Sequence, residues 1–398
     1  MTMWILPNSK QFLKAGLALF LLGFTSFSLV YCIQPLLPEL TQTFAVSATQ
    51  SSLALSLTTC LLALSILLSS AFSQALGRKG FMFCCILIAA LLNFLCALVP
   101  SWSSFLLIRT LEGFILGGIP AVALAWASEE VHPEHISKII GLYVSGSAFG
   151  GMVGRVGMGI ITQYLSWRIA LGILGILCFC CAFSFYYLLP ASKNFTAHKG
   201  KSLFFHLQIW KNHLATPTLL KLYGLGFLLT SIFSGIFNYM TFRLSSTPYH
   251  LNTTQVSLIF LFYVFGIVSS SLTGKIADHI GQLKTLYLGF FLIFVGSLFT
   301  LNNSLFWILV GIAHLTTGFF MAHTMASSRV SITSQTYKGH ATSLYLLFYY
   351  LGSSTIGSLM GLSWQAGGWH AVIMTTSALM VVVFLILWSK SKVDQRQS

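Results

Sequence analysis

The chain has 398 residues, 56% of them hydrophobic and only 7% charged, whereas a soluble domain carries about 25% charged residues. That composition excludes a soluble protein, and continuous apolar runs such as 53–75 and 371–388 exclude a β-barrel, whose strands alternate apolar and polar positions. The net charge of +14, from 21 Lys and Arg against 7 Asp and Glu, lies between the apolar runs, so it reports orientation in a membrane and not a nucleic-acid partner.

Apolar runs long enough to cross a bilayer as helices of about 20 residues are expected at 15–33, 53–75, 81–99, 105–127, 139–161, 169–189, 222–240, 256–273, 285–301, 305–326, 341–362 and 371–388. The fold class is therefore an all-α membrane protein with twelve spanning helices. Lys10 and Lys14 precede a first run that is long for a signal-peptide core and lacks a clear cleavage site, so it reads as a retained helix. Alternate connections hold seventeen Lys and Arg on one side and two, Arg168 and Arg243, on the other. The excess of cations on cytoplasmic loops then places both termini in the cytoplasm. All eight cysteines fall within apolar runs of the first half, which predicts buried free thiols, and the cluster Cys178, Cys180 and Cys181 has only apolar neighbours and makes a poor metal site.

Residues 1–190 and 217–398 form two six-helix halves, separated by the basic segment 191–216 with Lys193, Lys199, Lys201 and Lys211. Leu203, Leu207, Trp210 and Leu214 recur there at helical spacing, so the segment is either an interfacial helix or an unstructured basic linker. The halves repeat each other. Leu142-Tyr143 and Leu344-Tyr345, Gly150 and Gly352, Gly159 and Gly361, and Trp167 and Trp369 are each 202 apart, while Ser70, Gln74 and Gly77 match Gly274, Asp278 and Gly281 at an offset of 204. Repeated halves related by an axis along the membrane normal describe one transporter architecture.

The loop running from Ser70 to Gly77, Arg78 and Lys79 resembles the Gly-x3-Asp-x2-Gly-Arg-Lys loop of the major facilitator superfamily, and Arg109-Thr-Leu-Glu-Gly113 is similar to its Arg-x3-Gly element. Residues 141–155, 320–323 and 343–353 resemble the YnfM-type inner-membrane transporters of bacteria. The resemblance covers nearly the whole chain and implies the twelve-helix fold in two pseudo-symmetric halves, a bacterial inner-membrane location and solute transport. Two departures stand out. Gln74 replaces the acid that helps latch the cytoplasmic side, which moves the expected acidic gate partner to Asp278. Gly151 stands where drug-efflux members usually have Pro.

A charge inside a membrane helix costs at least about 2.5–3.5 kcal/mol and marks a functional site by default. Arg109, Glu112 and Arg155 are the clear cases. Arg109 and Glu112, three apart, share a helix face, and all three are expected in one polar cluster, either a salt-bridged knot between helices or a site with one excess positive charge that attracts an anionic solute. Glu112 is the candidate proton-coupling group and His314, 202 residues later, the second; His314 and His323 are read as sharing nearly one face. Tyr31, Gln34, Tyr143, Asn238, Tyr239, His323, Tyr345 and Tyr349 are candidate cavity residues, though interfacial belts account for many Tyr equally well. Pro35 and Pro38 bracket an unwound end of helix one, and Gly146, Gly150 and Gly154 form a small-residue packing face. Glu129, Glu130 and Glu134 lie beside His132 and Lys138 at the cytoplasmic mouth as a solvated network.

No nucleophile–base pair, phosphate loop or metal cluster is evident, so neither an enzyme nor a cofactor is expected. The leading function is a secondary transporter of a small organic solute working by alternating access, proton-coupled and exporting. The alternatives are an uncoupled facilitator and a proton-driven uptake carrier. Expected partners are the solute, protons and membrane lipids, with the chain acting as a monomer and no nucleic acid involved.

Overall fold

The computed structural model describes residues 4–7, 9–194, 203–334 and 336–389, without the side chains at 69–76, 137 and 203. In chain order its helices are α1 (Lys10–Tyr31), α2 (Leu37–Phe44), α3 (Ala48–Leu76), α4 (Arg78–Cys96), α5 (Trp102–Glu130), α6 (Ile136–Tyr164), α7 (Trp167–Leu188), α8 (Leu203–Leu214), α9 (Pro217–Ser245), α10 (Thr253–Ser257), α11 (Tyr263–Ile280), α12 (Gln282–Phe299), α13 (Leu305–Thr333), α14 (Lys338–Ser354) and α15 (Ile356–Trp388). Among the described residues, eleven segments are long and apolar enough to cross a membrane, and the last of them, Lys338–Trp388, has 51 residues, over twice one crossing. It breaks at Gly367 and Gly368, where φ is −154° and +58°, so it supplies two crossings and the twelve expected spans are present.

Helix α1 begins earlier than its apolar run because Ser9 caps it, accepting from the amide of Phe12 at 3.1 Å. Lys10 and Lys14 therefore lie inside its first turns instead of before it. Its far end stops at Tyr31 and passes through a 3-10 turn, Gln34–Leu36, into α2. Pro35 and Pro38, which cannot donate backbone hydrogen bonds, account for that break. Gly77 (φ +74°) and Gly281 (φ +90°) turn the chain from α3 into α4 and from α11 into α12. A side chain at either would meet nothing within 4 Å, so the repeated glycine answers the left-handed backbone there and not crowding.

The chain divides into two compact units. The first holds Met1–Val46, Leu53–Gly200 and Leu251–Ser257; the second holds Ser47–Ser52, Lys201–His250 and Leu258–Ser398. In the first, α1 packs on α6, and α4 on α5 and α7; in the second, α9 packs on α14 and α15, and α12 on α13. The repeat-related tryptophans each donate an indole N–H near the end of another helix, although their partners are not repeat-related. Trp167 donates its indole N–H to Thr43 Oγ1 at 3.1 Å, and Trp369 donates its own to the Thr300 carbonyl at 3.0 Å. Large apolar side chains such as Leu107, Ile176, Phe291, Met374 and Leu385 stand exposed on the outer faces, as expected of surfaces that meet lipid. The eight cysteines are free, but only Cys32, Cys85, Cys96 and Cys178 are buried, whereas Cys84 and Cys180 are exposed. An apolar helix has an outward face as well as an inward one, and periodicity alone does not separate them.

Residues 203–214 form a helix, α8, and not an unstructured linker. His206 Nδ1 lies 2.9 Å from His340 Nε2 at the start of α14, with the rings stacked 5.1 Å apart and Trp210 6.0 Å from His340. A net hydrogen bond of this kind contributes about 0.5–1.5 kcal/mol. His206→Ala is therefore expected to speed amide exchange across 203–214 severalfold while leaving exchange in α9 unchanged, a contrast that hydrogen-exchange mass spectrometry reads directly.

Candidate functional site

The last four carbonyls of a helix have no partner within it, and α1 ends inside the first unit, away from water. Arg109, from α5, supplies the missing donors. It is fully buried and donates to the carbonyls of Leu29 at 3.1 Å and Val30 at 2.9 Å, with a long contact to Ala54 O at 3.5 Å. A cation at a helix C-terminus also complements the helix dipole. The same guanidinium pairs with Glu112 Oε2 at 2.5 Å, as two residues three apart on one helix can. Glu112 is fully buried, and its second oxygen, Oε1, has no hydrogen-bond partner among the described residues.

Arg155, from α6, meets the chain just beyond the same helix end. It is buried, donates through Nε to Gln34 Oε1 at 2.7 Å and through Nη1 to the Gly151 carbonyl at 2.6 Å, and places its guanidinium carbon 4.2 Å from the centre of the Tyr31 ring. Both arginines thus converge on the broken end of α1, one inside it and one on the turn that follows. Gln34 is buried, and Tyr143 on α6 is buried beside the α1 crossing.

In the second unit the two histidines of α13 point in opposite directions. Nine residues at 100° each make two and a half turns, so the sequence reading of a shared face is corrected. His314 bonds back to the Val310 carbonyl at 2.8 Å and tilts against Phe299 of α12 at 5.5 Å. His323 instead places Nδ1 3.0 Å from Tyr345 Oη and lies 4.8 Å from the Tyr349 ring. Phe319 stacks on His323 at 6.2 Å and on Phe233 at 3.7 Å. The result is a layered aromatic group with one imidazole and two phenols. Asn238 and Tyr239 are buried in α9, where the Tyr239 hydroxyl donates to the Ser358 carbonyl at 2.7 Å and lies 3.3 Å from Ser52 Oγ, which binds it into helix packing.

Of the gating-loop residues, the side chains of Ser70 and Gln74 lie outside the described residues. Arg78 forms a two-point ion pair with Glu129, Nη2 to Oε1 at 2.6 Å and Nε to Oε2 at 3.1 Å, and Lys79 reaches the Leu189 carbonyl at 2.6 Å. The acid facing this loop is therefore Glu129, at the end of α5. Neighbouring Glu130 turns the other way and accepts from the amides of Lys193 and Asn194 at 3.0 and 2.9 Å. Asp278 is exposed on the last turn of α11, next to Gly281, and Gly274 is open to its surroundings. Sequence reasoning missed Phe319, which stacks on His323, and Phe233, which stacks on Phe319 in turn, because among 34 phenylalanines only the packing distinguishes these two. It left Glu129 as a solvated group because the distance to Arg78, 51 positions away, is not legible from spacing.

Comparison with known proteins follows the same lines. The family model described as Major Facilitator Superfamily matches residues 19–356 and, in a second match, 246–398. The uncharacterized MFS-type transporter YybF of Bacillus subtilis is 39% identical, with 96% of this chain and 95% of that protein covered. The inner membrane transport protein YnfM of Escherichia coli is 37% identical, with 96% and 92% covered. Among solved structures, that of the nucleoside transporter NupG gives a TM-score of 0.79 at 13% identity over 94% of this chain and 100% of that one, a likeness of fold alone.

Proposed function

Since the chain belongs to the Major Facilitator Superfamily of membrane transporters and not to a family of enzymes, we propose that it is a proton-coupled carrier of a small organic solute, working by alternating access, with Glu112 as the coupling carboxylate. The observation that carries this reading is the state of Glu112: fully buried, tied to Arg109 through one oxygen and bare at the other. A buried carboxylate with a single partner sits between two charge states, since burial favours the neutral acid and the arginine favours the anion. A change in the wetting of the α1 end shifts that balance and takes up or releases a proton.

Arg155, Gln34 and Tyr31 are the proposed contacts for an anionic group, because guanidinium groups bind carboxylates through directed, charge-assisted bonds. Within the second unit by itself, the layered rings around His323, Tyr345 and Tyr349 offer an aromatic surface suited to a planar group. His314, bonded to its own helix and packed on Phe299, is a weaker coupling candidate than Glu112. The charge asymmetry of the connections supports cytoplasmic termini, and proteins related to the chain include an inner membrane transport protein, which supports that location.

Efflux by antiport, the expected direction, requires the solute to displace the proton. The two-to-one balance of Arg109 and Arg155 over Glu112 favours a second reading, in which protonation of Glu112 frees positive charge and an anion loads together with the proton. Proteoliposomes under an imposed pH gradient separate these readings, using solutes found by metabolite comparison of cells with and without the gene. Glu112→Gln is expected to retain counterflow exchange and lose accumulation against a gradient. Uphill transport by Glu112→Gln at the wild-type rate rejects Glu112 as the coupling group, and wild-type flux that ignores the pH gradient rejects coupling altogether in favour of a facilitator.

A further inference from the structure

The connection from α5 to α6 holds a side-chain group outside the proposed coupling and solute contacts. After Glu130 the chain extends through Val131 (φ −102°, ψ 141°) and then tightens into a 3-10 turn, Pro133–His135. Proline at the first position of that turn supplies the φ it needs. Residues three apart in such a turn eclipse each other, so His132 and His135 lie on one side, their rings 6.0 Å apart. Glu134 reaches back until its Oε2 is 4.0 Å from His132 Nδ1. One nitrogen from each histidine and one carboxylate oxygen lie within 4.8 Å of one another.

His132 is also held from behind. Trp4 packs edge-on against its ring at 6.5 Å, and the backbone around it is strapped to the N-terminal segment, with Ile5 N donating to Glu130 O at 2.8 Å and His132 N donating to Ile5 O at 3.3 Å. Its Nδ1 is screened from solvent and has no hydrogen-bond partner among the described residues. The carboxylate at 4.0 Å is too distant for a hydrogen bond, but it stands at the separation of two ligands on one ion. Metal–ligand bonds of about 2.0–2.2 Å place such ligand atoms roughly 3–4 Å apart, so the three atoms, within 4.8 Å of one another, close on one ion by a small side-chain adjustment.

We propose that His132, Glu134 and His135 bind one late first-row divalent metal ion, of which zinc is the representative. Two imidazoles with one carboxylate suit such ions and not magnesium or calcium, which take oxygen ligands. The turn presents three ligands from four consecutive residues, so little chain has to be ordered on binding, and water can occupy the remaining position. A bound ion would brace the α5–α6 turn on which the N-terminal segment is strapped by backbone hydrogen bonds. This inference does not depend on the identity of the transported solute or on proton coupling.

The test is a zinc titration of the purified full-length chain against a chromogenic chelator, together with the visible spectrum of added cobalt. Because the chain has other histidines and eight thiols, the readout is the difference between wild type and variants. Wild type is expected to bind one more equivalent than His132→Gln/His135→Gln at low-micromolar zinc. Glu134→Gln, at a side chain 79% exposed and so without consequence for folding, should weaken that equivalent at least tenfold. The cobalt spectrum should show nitrogen and oxygen ligands in wild type and lose that band in both variants. Equal zinc stoichiometry and affinity in wild type and variants overturns the proposal, as does wild type that takes up no zinc at these concentrations.

Discussion

Replacing Arg109 by alanine should destabilise the protein by roughly 3–5 kcal/mol, the usual cost of removing one partner of a buried ion pair and leaving the other charge uncompensated. The expectation exceeds that for an ordinary salt bridge because two losses coincide. Glu112 loses the cation bound to its Oε2 at 2.5 Å, and the carbonyls of Leu29 and Val30 lose the donors that close the end of α1. The two parts are separable. Leucine at both 109 and 112 removes both charges, so the double variant should recover much of the loss, while a remainder of about 1–3 kcal/mol persists for the buried Val30 carbonyl, the Leu29 carbonyl keeping the Cys32 thiol at 3.1 Å. Thermal unfolding of the detergent-solubilised chain reads both. A double variant no more stable than Arg109→Ala would show that capping, and not the ion pair, dominates; an Arg109→Ala midpoint equal to wild type would remove the energetic basis for both.

Much of this architecture is legible in the sequence because membrane insertion imposes a simple rule: backbone polar groups must be satisfied within each span, which leaves helices of a known minimum length. The broken end of α1 is equally visible, since Pro35 and Pro38 cannot donate hydrogen bonds. The pairing of Arg109 with Glu112 follows from their three-residue spacing. What spacing could not supply was direction across the bundle. The opposite aims of His314 and His323 follow from helical arithmetic, but their partners, Phe299 and Tyr345, depend on which neighbour each face meets. The pairing of Arg78 with Glu129 and the convergence of His132, Glu134 and His135 depend on how helix ends are joined. A Pro inside His-x-x-His is a legible sign of a tight turn, but burial of the Nδ1 atom is not.

The glycines shared by the two halves lead to a prediction with its own controls. Gly146 and Gly150 on α6 cross α1 so closely that a methyl group at either would overlap the carbonyl oxygen of Phe20 or Phe24; Gly352 on α14 stands against the Phe227 carbonyl of α9 in the same way. The obstructing atoms belong to backbone in regular helix, so no rotamer change relieves them and the helices must separate. In lipid, close approach of this kind through small residues drives helix association. Gly141 on the same α6, and Gly224 on the same α9, have nothing within 4 Å of the added methyl. Gly150→Ala and Gly352→Ala should therefore each cost about 1–3 kcal/mol through overpacking, whereas Gly141→Ala and Gly224→Ala should be neutral or stabilising by up to about 1 kcal/mol, the helix propensity gained over glycine. All four substitutions add the same methyl to a helix, so their ranking in thermal unfolding isolates the crossing. If Gly150→Ala and Gly141→Ala unfold at the same temperature, the close contact between α1 and α6 is not what the repeated glycine secures.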